Sequence, residues 1–469
     1  MKTHAFEQLS AKFVANSIKY VDERLISVVY SSPLCARSPD LFMVWHPGYY
    51  EKNKLKLFVN GVVLVLRELF RGGIKLVFNL KPFNYVLQGS IADSLLIVPS
   101  NCAISLANGT KKTAYVKTDG TDGLFIFGPA KTCGLNERKI QTIATKQKIV
   151  FLFSLLGAGI SAALATKGQI TERLLLINYW FAWALSLQWL DDYYLEKVLF
   201  EIVRDNKINK IGCIHEMHAY ARLVWRIADK CKIKSYTVQH AAISYGKRWY
   251  FCYPEELISG LKLPSTIYVY DDETAKMLTP YFPNTIFKKG CSSRYVHWKV
   301  AGKSTFPGKY YLYVSALPAF DNDILFEMIK RTLSEANEFV PLRIRLHPFA
   351  IVSRQNRNWL KKKVENKQIE YPKNSGLNND LINATAVIGV GSTVLEEALL
   401  LGRPAIQITH PDYLRYVGIG GITGTRVIDH REFSWKDLLA ITGCEVDANL
   451  VRSRFGLSEK EINYDVLFS

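Results

Sequence analysis

From about residue 208 onward the chain alternates short apolar runs with amphipathic stretches, and this alternation constrains its fold more than any other feature. Lys210–Ile214 (KIGCI) reads as a strand. The stretch HEMHAYARLVWRIADKCK that follows reads as a helix, with Ala221, Val224, Trp225 and Ala228 at helical spacing. Ser235–Val238 and Thr266–Tyr270 repeat the pattern, and DDETAKML after the latter opens with acids, as a helix N-terminus should. A polar, basic, Gly- and Pro-bearing stretch at 296–309 interrupts the alternation, which then restarts. Strands Tyr310–Ser315, Leu342–Leu346, Ala386–Val390 and Pro404–Ile408 interleave with helices Ile324–Ala336, Arg354–Val364 and Thr393–Leu401. Strands separated by helices of this length imply βαβ units and parallel sheets. The expectation is therefore α/β: two Rossmann-like domains, 1–295 and 310–469, joined by a linker at 296–309 and facing a cleft. Such folds deliver ligand-binding residues from the carboxyl ends of their strands.

The first half is less regular. Leu41–Trp45, Gly61–Leu66 and Ser94–Val98 are apolar stretches between Gly-, Asn- and Pro-bearing turns, and read as short strands mixed with helices. Residues 149–166 (IVFLFSLLGAGISAALAT) carry no charge between Lys148 and Lys167. As a helix at about 1.5 Å per residue they reach roughly 27 Å, just short of a hydrocarbon core. Gly157, Gly159, two serines and four alanines fit a tightly packed soluble helix equally well. A second apolar stretch, 174–190, ends at Asp191–Asp192. The N-terminal half is thus expected to carry extra apolar helices over 149–190. They would be buried, membrane-apposed or dipping into a bilayer as a hairpin, with a true span as the alternative.

With 48% hydrophobic and 12% aromatic residues in 469, the chain can bury sizeable cores, which excludes global disorder. The eight cysteines (35, 102, 133, 213, 231, 252, 291 and 444) form no C-x-x-C pair, which argues against a disulfide framework or zinc site and for a reducing compartment. The opening MKTHAFEQLSAKF lacks the apolar core of a signal peptide, so a cytoplasmic protein is expected. The net charge of +18 implies an anionic partner: nucleic acid, a membrane surface or a phosphorylated substrate. Lys and Arg are dispersed, the longest run being Lys361–Lys363, so a basic nucleic-acid-binding protein is the non-enzyme alternative rather than the main reading.

Four places could carry chemistry. In AVIGVGSTVLEEALLLGRP (386–404) a strand ends in Gly389-Val390-Gly391, and Ser392-Thr393 open a helix. Backbone N–H groups, the helix dipole and two hydroxyls would converge on a phosphate, with Glu396 and Glu397 one turn in; an ordinary capped helix is the plain alternative. The run lacks the G-K-[ST] of a Walker loop and the glycine spacing of a dinucleotide fingerprint. LRIRLHP (342–348) ends a strand in His347-Pro348, where Arg345 or His347 could neutralise a phosphate, or the proline could simply make a turn. CIHEMHAY places His215, Glu216 and His218 just past a strand, Glu216 being set as a general base, and Gln239-His240 ends the next strand. H-E-x-H is not the zincin H-E-x-x-H, and no metal is expected. Asp321 and Asp323 follow the first strand of the second half, either as acids of a helix N-terminus or at the cleft; Asp271 and Asp272 share that ambiguity.

Taken in order, these residues resemble GT-B-fold glycosyltransferases of bacterial surface carbohydrate (capsule and lipopolysaccharide) biosynthesis that use CMP-activated Kdo, sialic acid or other nonulosonic acids. The resemblance covers roughly residues 208–425. It implies that His347 contacts the CMP phosphate, that Ser392 and Thr393 hold it, and that Glu396 lies near the ribose or base. It further implies Glu216 as the base of inverting members and Asp321, or Asp323, as the acid of retaining ones; ALPAF stands where the family carries a glutamine-bearing run. The implied donor is a CMP-sugar with no further cofactor. The implied partners are a glycan or lipid-linked acceptor and the cytoplasmic face of the inner membrane. A UDP- or GDP-sugar transferase or a sugar-nucleotide epimerase of the same fold is the alternative.

Overall fold

The structure is a computed structural model that describes residues 5–32, 34–35, 59–73, 84–90, 93–100, 103–105, 111–113, 115–119, 121–128, 143–214, 219–240, 243, 251–296, 308–316, 319–336, 341–348, 350–371, 376–410 and 419–469. The chain forms two compact units. The first comprises Met1–His240, Arg248–Arg294 and Glu459–Ser469, and the second Ala241–Lys247 and Tyr295–Ser458. Most of the stretch expected to be the linker lies outside the described residues.

The first unit holds a sheet of β1 (Asn84–Gln88), β2 (Ser94–Pro99), β5 (Leu124–Gly128), β6 (Lys210–Ile214), β7 (Lys234–Val238), β8 (Thr266–Val269) and β9 (Ile286–Lys289), while β3 (Ala103–Ser105) and β4 (Lys111–Thr113) pair apart from it. Its order is β1-β5-β2-β6-β7-β8-β9, parallel throughout except at β1–β5. Leu95–Val98 of β2 and Ile267–Val269 of β8 are buried as continuous apolar runs, as strands covered on both faces must be. The outer strand β9 reads IFKK and is largely exposed; its lysines discourage pairing with another edge.

The longer helices of this unit are α1 (Ala5–Ile18), α2 (residues 59–73), α3 (Thr145–Ala165), α4 (Ile170–Leu185), α5 (Trp189–Asp205) and α6 (Ala219–Cys231). The uncharged run of 149–166 thus lies almost wholly in α3, and α3 and α4 pack closely. Trp180 Nε1 donates to the Leu155 carbonyl at 2.7 Å, and a Cβ at Gly159 would fall 2.4 Å from Trp180 Cδ1. A terminal helix, Tyr464–Phe468, corrects the expected boundary of 310–469, because the last eleven residues return to the first unit. Ile462, Leu467 and Phe468 fill its core beside Tyr236, and Tyr464 Oη donates to the Ser94 carbonyl at 2.9 Å.

The second unit is built on β10 (Tyr310–Val314), β11 (Leu342–Arg345), β12 (Ala384–Gly389), β13 (Ala405–Thr409) and β14 (Thr425–Asp429), all parallel, in the order β11-β10-β12-β13-β14. Its helices include α7 (Ala319–Glu335), α8 (Arg354–Glu365), α9 (Leu377–Ile382) and α10 (Val394–Leu400). α7 begins five residues before the expected Ile324, because Asp321 and Asp323 are part of its first turns. Tyr313, Leu325, Ile329, Ile344, Ile388 and Ile406 make the core. Each such side chain contributes about 1.5–3 kcal/mol on burial. Both units are therefore α/β with Rossmann-like parallel sheets. In the second, the first strand lies between the second and third, so the chain switches direction at β10; ligands of doubly wound folds collect at the carboxyl side of that strand.

Candidate functional site

The strand register aligns the carboxyl ends of the second unit. Val314 pairs with Arg345 on one side and Gly389 on the other, and Gly389 pairs with Gln407. One step beyond, the backbone N–H of His347 donates to Ser315 Oγ at 2.6 Å, and Ser315 N donates to the Arg345 carbonyl at 3.0 Å. Ser315 is buried and fixes the first residue after β10 to the first turn after β11. Gly389 allows β12 to come close, since a Cβ there would sit 2.9 Å from Val314 Cγ2. The segment Gly391-Ser392-Thr393 then leads into α10. Ser392 Oγ accepts from Val394 N at 3.3 Å, while Thr393 makes no side-chain cap, so one of the two expected hydroxyl caps forms.

One expected contact is placed differently. Arg345 NH1 reaches Asp380 Oδ2 at 2.6 Å and Arg343 NH1 reaches Asp380 Oδ1 at 2.9 Å, with the Asp380 side chain wholly buried. The guanidinium expected to neutralise a phosphate therefore anchors α9 to β11. A buried carboxylate demands such partners, because an uncompensated charge there costs several kcal/mol. Glu396 is 3% exposed and Glu397 1%, so both carboxylates are buried at the start of α10.

His347 sits at the rim of a cavity of about 680 Å³ lined also by Pro348, Val352, Arg357, Lys361 and Tyr371. That volume suits a small ligand. Partial burial pulls the imidazole of His347 below its ordinary pKa, which favours its neutral, hydrogen-bonding form. Arg357 and Lys361, one turn apart on α8, bring positive charge to the lining, with Lys361 Nζ 3.9 Å from Glu365, which also lines it.

The aspartates after β10 separate. Asp323 Oδ1 accepts from Asn356 Nδ2 at 2.9 Å and belongs to the α7–α8 packing. Asn322 accepts from Ala316 N at 3.2 Å and donates to the Ile351 carbonyl at 3.0 Å, which locks the turn. Asp321 is 2% exposed, and among the described residues its Oδ2 has no hydrogen-bond partner. Burial pushes its carboxyl up to about 7. Of the two acids, Asp321 is the one poised to hold or release a proton near neutrality.

In the first unit Glu216, with His215 and His218, lies outside the described residues. β6 ends at Ile214, paired with Val238 of β7, and Gln239 follows at the tip of β7. Gln239 Oε1 accepts from Tyr270 N at 2.8 Å and its carbonyl from Tyr270 Oη at 2.9 Å, which fixes the tip that carries His240. The His240 ring meets Tyr115 edge-on at 6.2 Å. Among the described residues no three His, Cys, Asp or Glu side chains converge as a metal set.

Sequence reasoning missed Ser315, which has no motif of its own, and a histidine pair at the ends of β13 and β14. His410 and His430 stack at 4.4 Å and 25°, and His430 N donates to the Thr409 carbonyl at 2.8 Å. Arg431 holds the neighbouring Asp429 carboxyl well below the usual range, and Arg331 NH1 ties the loop by bonding the carbonyls of His430, Arg431 and Phe433. The signal was available: ITHP (408–411) repeats the strand–His–Pro pattern of 346–348.

No family model matches the chain, and no curated protein matches it. Among solved structures, it is similar to UDP-GlcNAc 2-epimerase of Methanocaldococcus jannaschii in complex with UDP-GlcNAc and UDP, at 13% identity over 57% of this chain and 79% of that one, TM-score 0.39. Rickettsia bellii UDP-N-acetylglucosamine 2-epimerase is similar at 14% identity over 57% and 76%, TM-score 0.38. Acinetobacter baumannii MurG is similar at 10% identity over 60% and 78%, TM-score 0.35. Likenesses this distant carry no argument, and the fold rests on the strand order itself.

Proposed function

We propose that the chain is an enzyme acting on a nucleotide sugar, with the nucleotide held by the second unit. One observation carries this reading. The direction switch at β10 gathers Ser315, His347, the Gly389–Thr393 turn and the proton-holding Asp321 at the carboxyl side of one parallel sheet. Neutral His347 and the Ser392 hydroxyl are proposed to bind phosphate oxygens, with Asp321 as acid or base. Glu216 and His240 of the first unit are proposed for the acceptor side.

The resemblance in sequence implied a CMP-sugar. The cavity beside His347 carries Arg357, Lys361 and Glu365, with Lys361 Nζ 3.9 Å from Glu365, and its charge suits equally a UDP-sugar and a CMP-linked acidic sugar, each of which carries two negative charges. We propose a UDP-sugar as the first donor to test, with the CMP-sugar as the other. Transfer to a glycan or lipid-linked acceptor in surface polysaccharide assembly, on the cytoplasmic side of a membrane, belongs to the proposal.

Thermal shift of the full chain with UDP, CMP, GDP and their sugars tests it. A ligand at about 100 times its Kd stabilises by about 2.7 kcal/mol. UDP should raise Tm, and Ser392→Ala and His347→Ala should reduce that rise. A response to CMP alone returns the donor to the CMP-sugar class, and no response to any nucleotide refutes the reading. Product analysis with UDP-GlcNAc and no acceptor then separates epimerisation, which needs none, from transfer.

A further inference from the structure

Three helices of the first unit leave apolar stripes uncovered. On α3, Ile149, Val150, Phe153, Ile160 and Leu164 are exposed, with Gly157 in open space between them, while Phe151, Leu155, Ala158 and Ala162 of the same helix are buried. On α2, Val59, Val62, Val63, Leu66, Leu69 and Phe70 are exposed. On α4, Ile170 and Leu174 are exposed. These spacings of three, four and seven each draw one face of a helix.

Packing places the stripes together. Gly61 of α2 lies against Asn178 of α4, and Gly72 against the Leu185 carbonyl, so α2 and α4 run side by side in the same direction. Gly159 of α3 lies against Trp180 on another face of α4. At roughly 100° per residue, Asn178 and Trp180 point to nearly opposite sides of α4, so α4 lies between α2 and α3. The face of α4 left between those contacts carries Ile170, Leu174, Ile177 and Phe181. The same angles turn the exposed stripes of α2 and α3 toward that side, which makes one continuous apolar layer.

Charge surrounds one edge of the layer. Lys146 lies in line with the α3 stripe, one turn before it, and Lys167 follows the extended C-cap Thr166 just past the other end of the helix. At the Lys167 end a cavity of about 520 Å³ is lined by Lys12, Lys19, Lys167 and Glu255, with Lys12 Nζ 4.0 Å from Glu255 and the lining residue Ile258 86% exposed. A second copy seated on this layer would oppose like charges, whereas anionic headgroups complement them. A span by α3 conflicts with its neighbours. Asp22 N donates to Ser154 Oγ at 2.9 Å, and the Arg24 guanidinium lies 4.7 Å over the Phe151 ring, so an ion pair sits beside the first half of the helix. Hydrocarbon at that level would strip this pair of water.

We propose that α2, α3 and α4 form a docking face that lies flat on an anionic lipid bilayer, apolar stripes in the interface and lysines at the headgroups. The inference uses the first unit alone and does not rest on the nucleotide-sugar reading. Flotation of the full chain with phosphatidylcholine vesicles, with and without phosphatidylglycerol, tests it. The chain should float with the anionic vesicles and be released by salt or alkaline carbonate. Phe153→Glu/Leu164→Glu should weaken binding about tenfold or more. Lys146→Glu/Lys167→Glu, which leaves the apolar layer intact, should abolish the preference for anionic lipid; circular dichroism confirms that both variants fold. Retention after carbonate, wild-type binding by either folded variant, or a dimer in solution that the Phe153/Leu164 variant dissolves would each overturn the proposal.

Discussion

Asp321→Asn should change how stability depends on pH, by an amount the structure sets. The Asp321 carboxyl is buried without a partner for Oδ2, and burial raises its pKa to about 7 from an ordinary 3.8. The unfolded chain releases that proton near pH 4, while the folded protein keeps it until about pH 7. Between those values the folded state binds more protons, so stability falls as pH rises and levels off above 7. The gap spans about three pH units at about 1.4 kcal/mol each, a total of about 4 kcal/mol. From pH 5 to pH 8 the wild type should lose about 2–3 kcal/mol more than Asp321→Asn, which carries no titrating group. Urea unfolding of both proteins at the two pH values reads this difference, and other groups cancel in the comparison. Parallel pH profiles for the two proteins would refute the buried, unpaired carboxyl and with it the assignment of Asp321 over Asp323 as the proton-holding acid.

Four further outcomes follow from particular contacts. Asp380→Ala should cost about 3–5 kcal/mol in urea unfolding, because Arg343 and Arg345 lose their shared buried partner. Gly389→Ala should cost about 1–3 kcal/mol, since its Cβ meets Val314 at 2.9 Å, and should weaken nucleotide binding in the thermal-shift assay. Ser315→Ala leaves the buried turn after β11 without its acceptor for His347 N–H; a loss of about 1–3 kcal/mol is expected, with a smaller nucleotide-induced shift in Tm. Removal of Glu459–Ser469 takes Ile462, Leu467 and Phe468 from the core of the first unit, at about 1.5–3 kcal/mol each. The truncated chain should bind a hydrophobic dye and lose cooperative melting.

The second unit was largely legible because its signals are local. Four apolar runs separated by helical spacing fix a parallel sheet, and a strand followed by His-Pro or Gly-Ser-Thr marks a carboxyl end without reference to anything distant. The fifth strand, β14 (TRVID), is mixed in polarity and only half-buried, and gives no such run. What escaped depends on distant partners. Nothing in LRIR says that its arginines will meet Asp380, more than thirty residues later, instead of a ligand. Nothing in EEALL says that both carboxylates will turn inward. Ser315 is one serine among many until the register brings His347 beside it. The return of the last eleven residues was equally hidden, because the pairing of Cys291 with Lys460 spans most of the second unit.

The apolar run at 149–166 shows how composition alone can leave a choice open that packing closes. By length and hydropathy α3 qualifies to cross a membrane, yet only a third of its most apolar window is buried. A helix buried on all sides would need no lipid, and a helix exposed on all sides would need lipid all round. α3 does neither: one face is filled by Trp180 and its neighbours, a polar pair at Asp22 and Arg24 flanks it, and one stripe is bare. Sequence averages over these faces because residues such as Phe151 and Phe153 look alike until one is packed and the other is not. The surplus of positive charge has the same property. Its total suggests an anionic partner anywhere on the molecule, but only the placement of Lys146 and Lys167 toward the two ends of the bare stripe gives that partner an address. Exposed on one side and basic at both ends, α3 has the geometry of a helix that rests on a surface, and the flotation of its charge-reversed variant decides whether that surface is lipid.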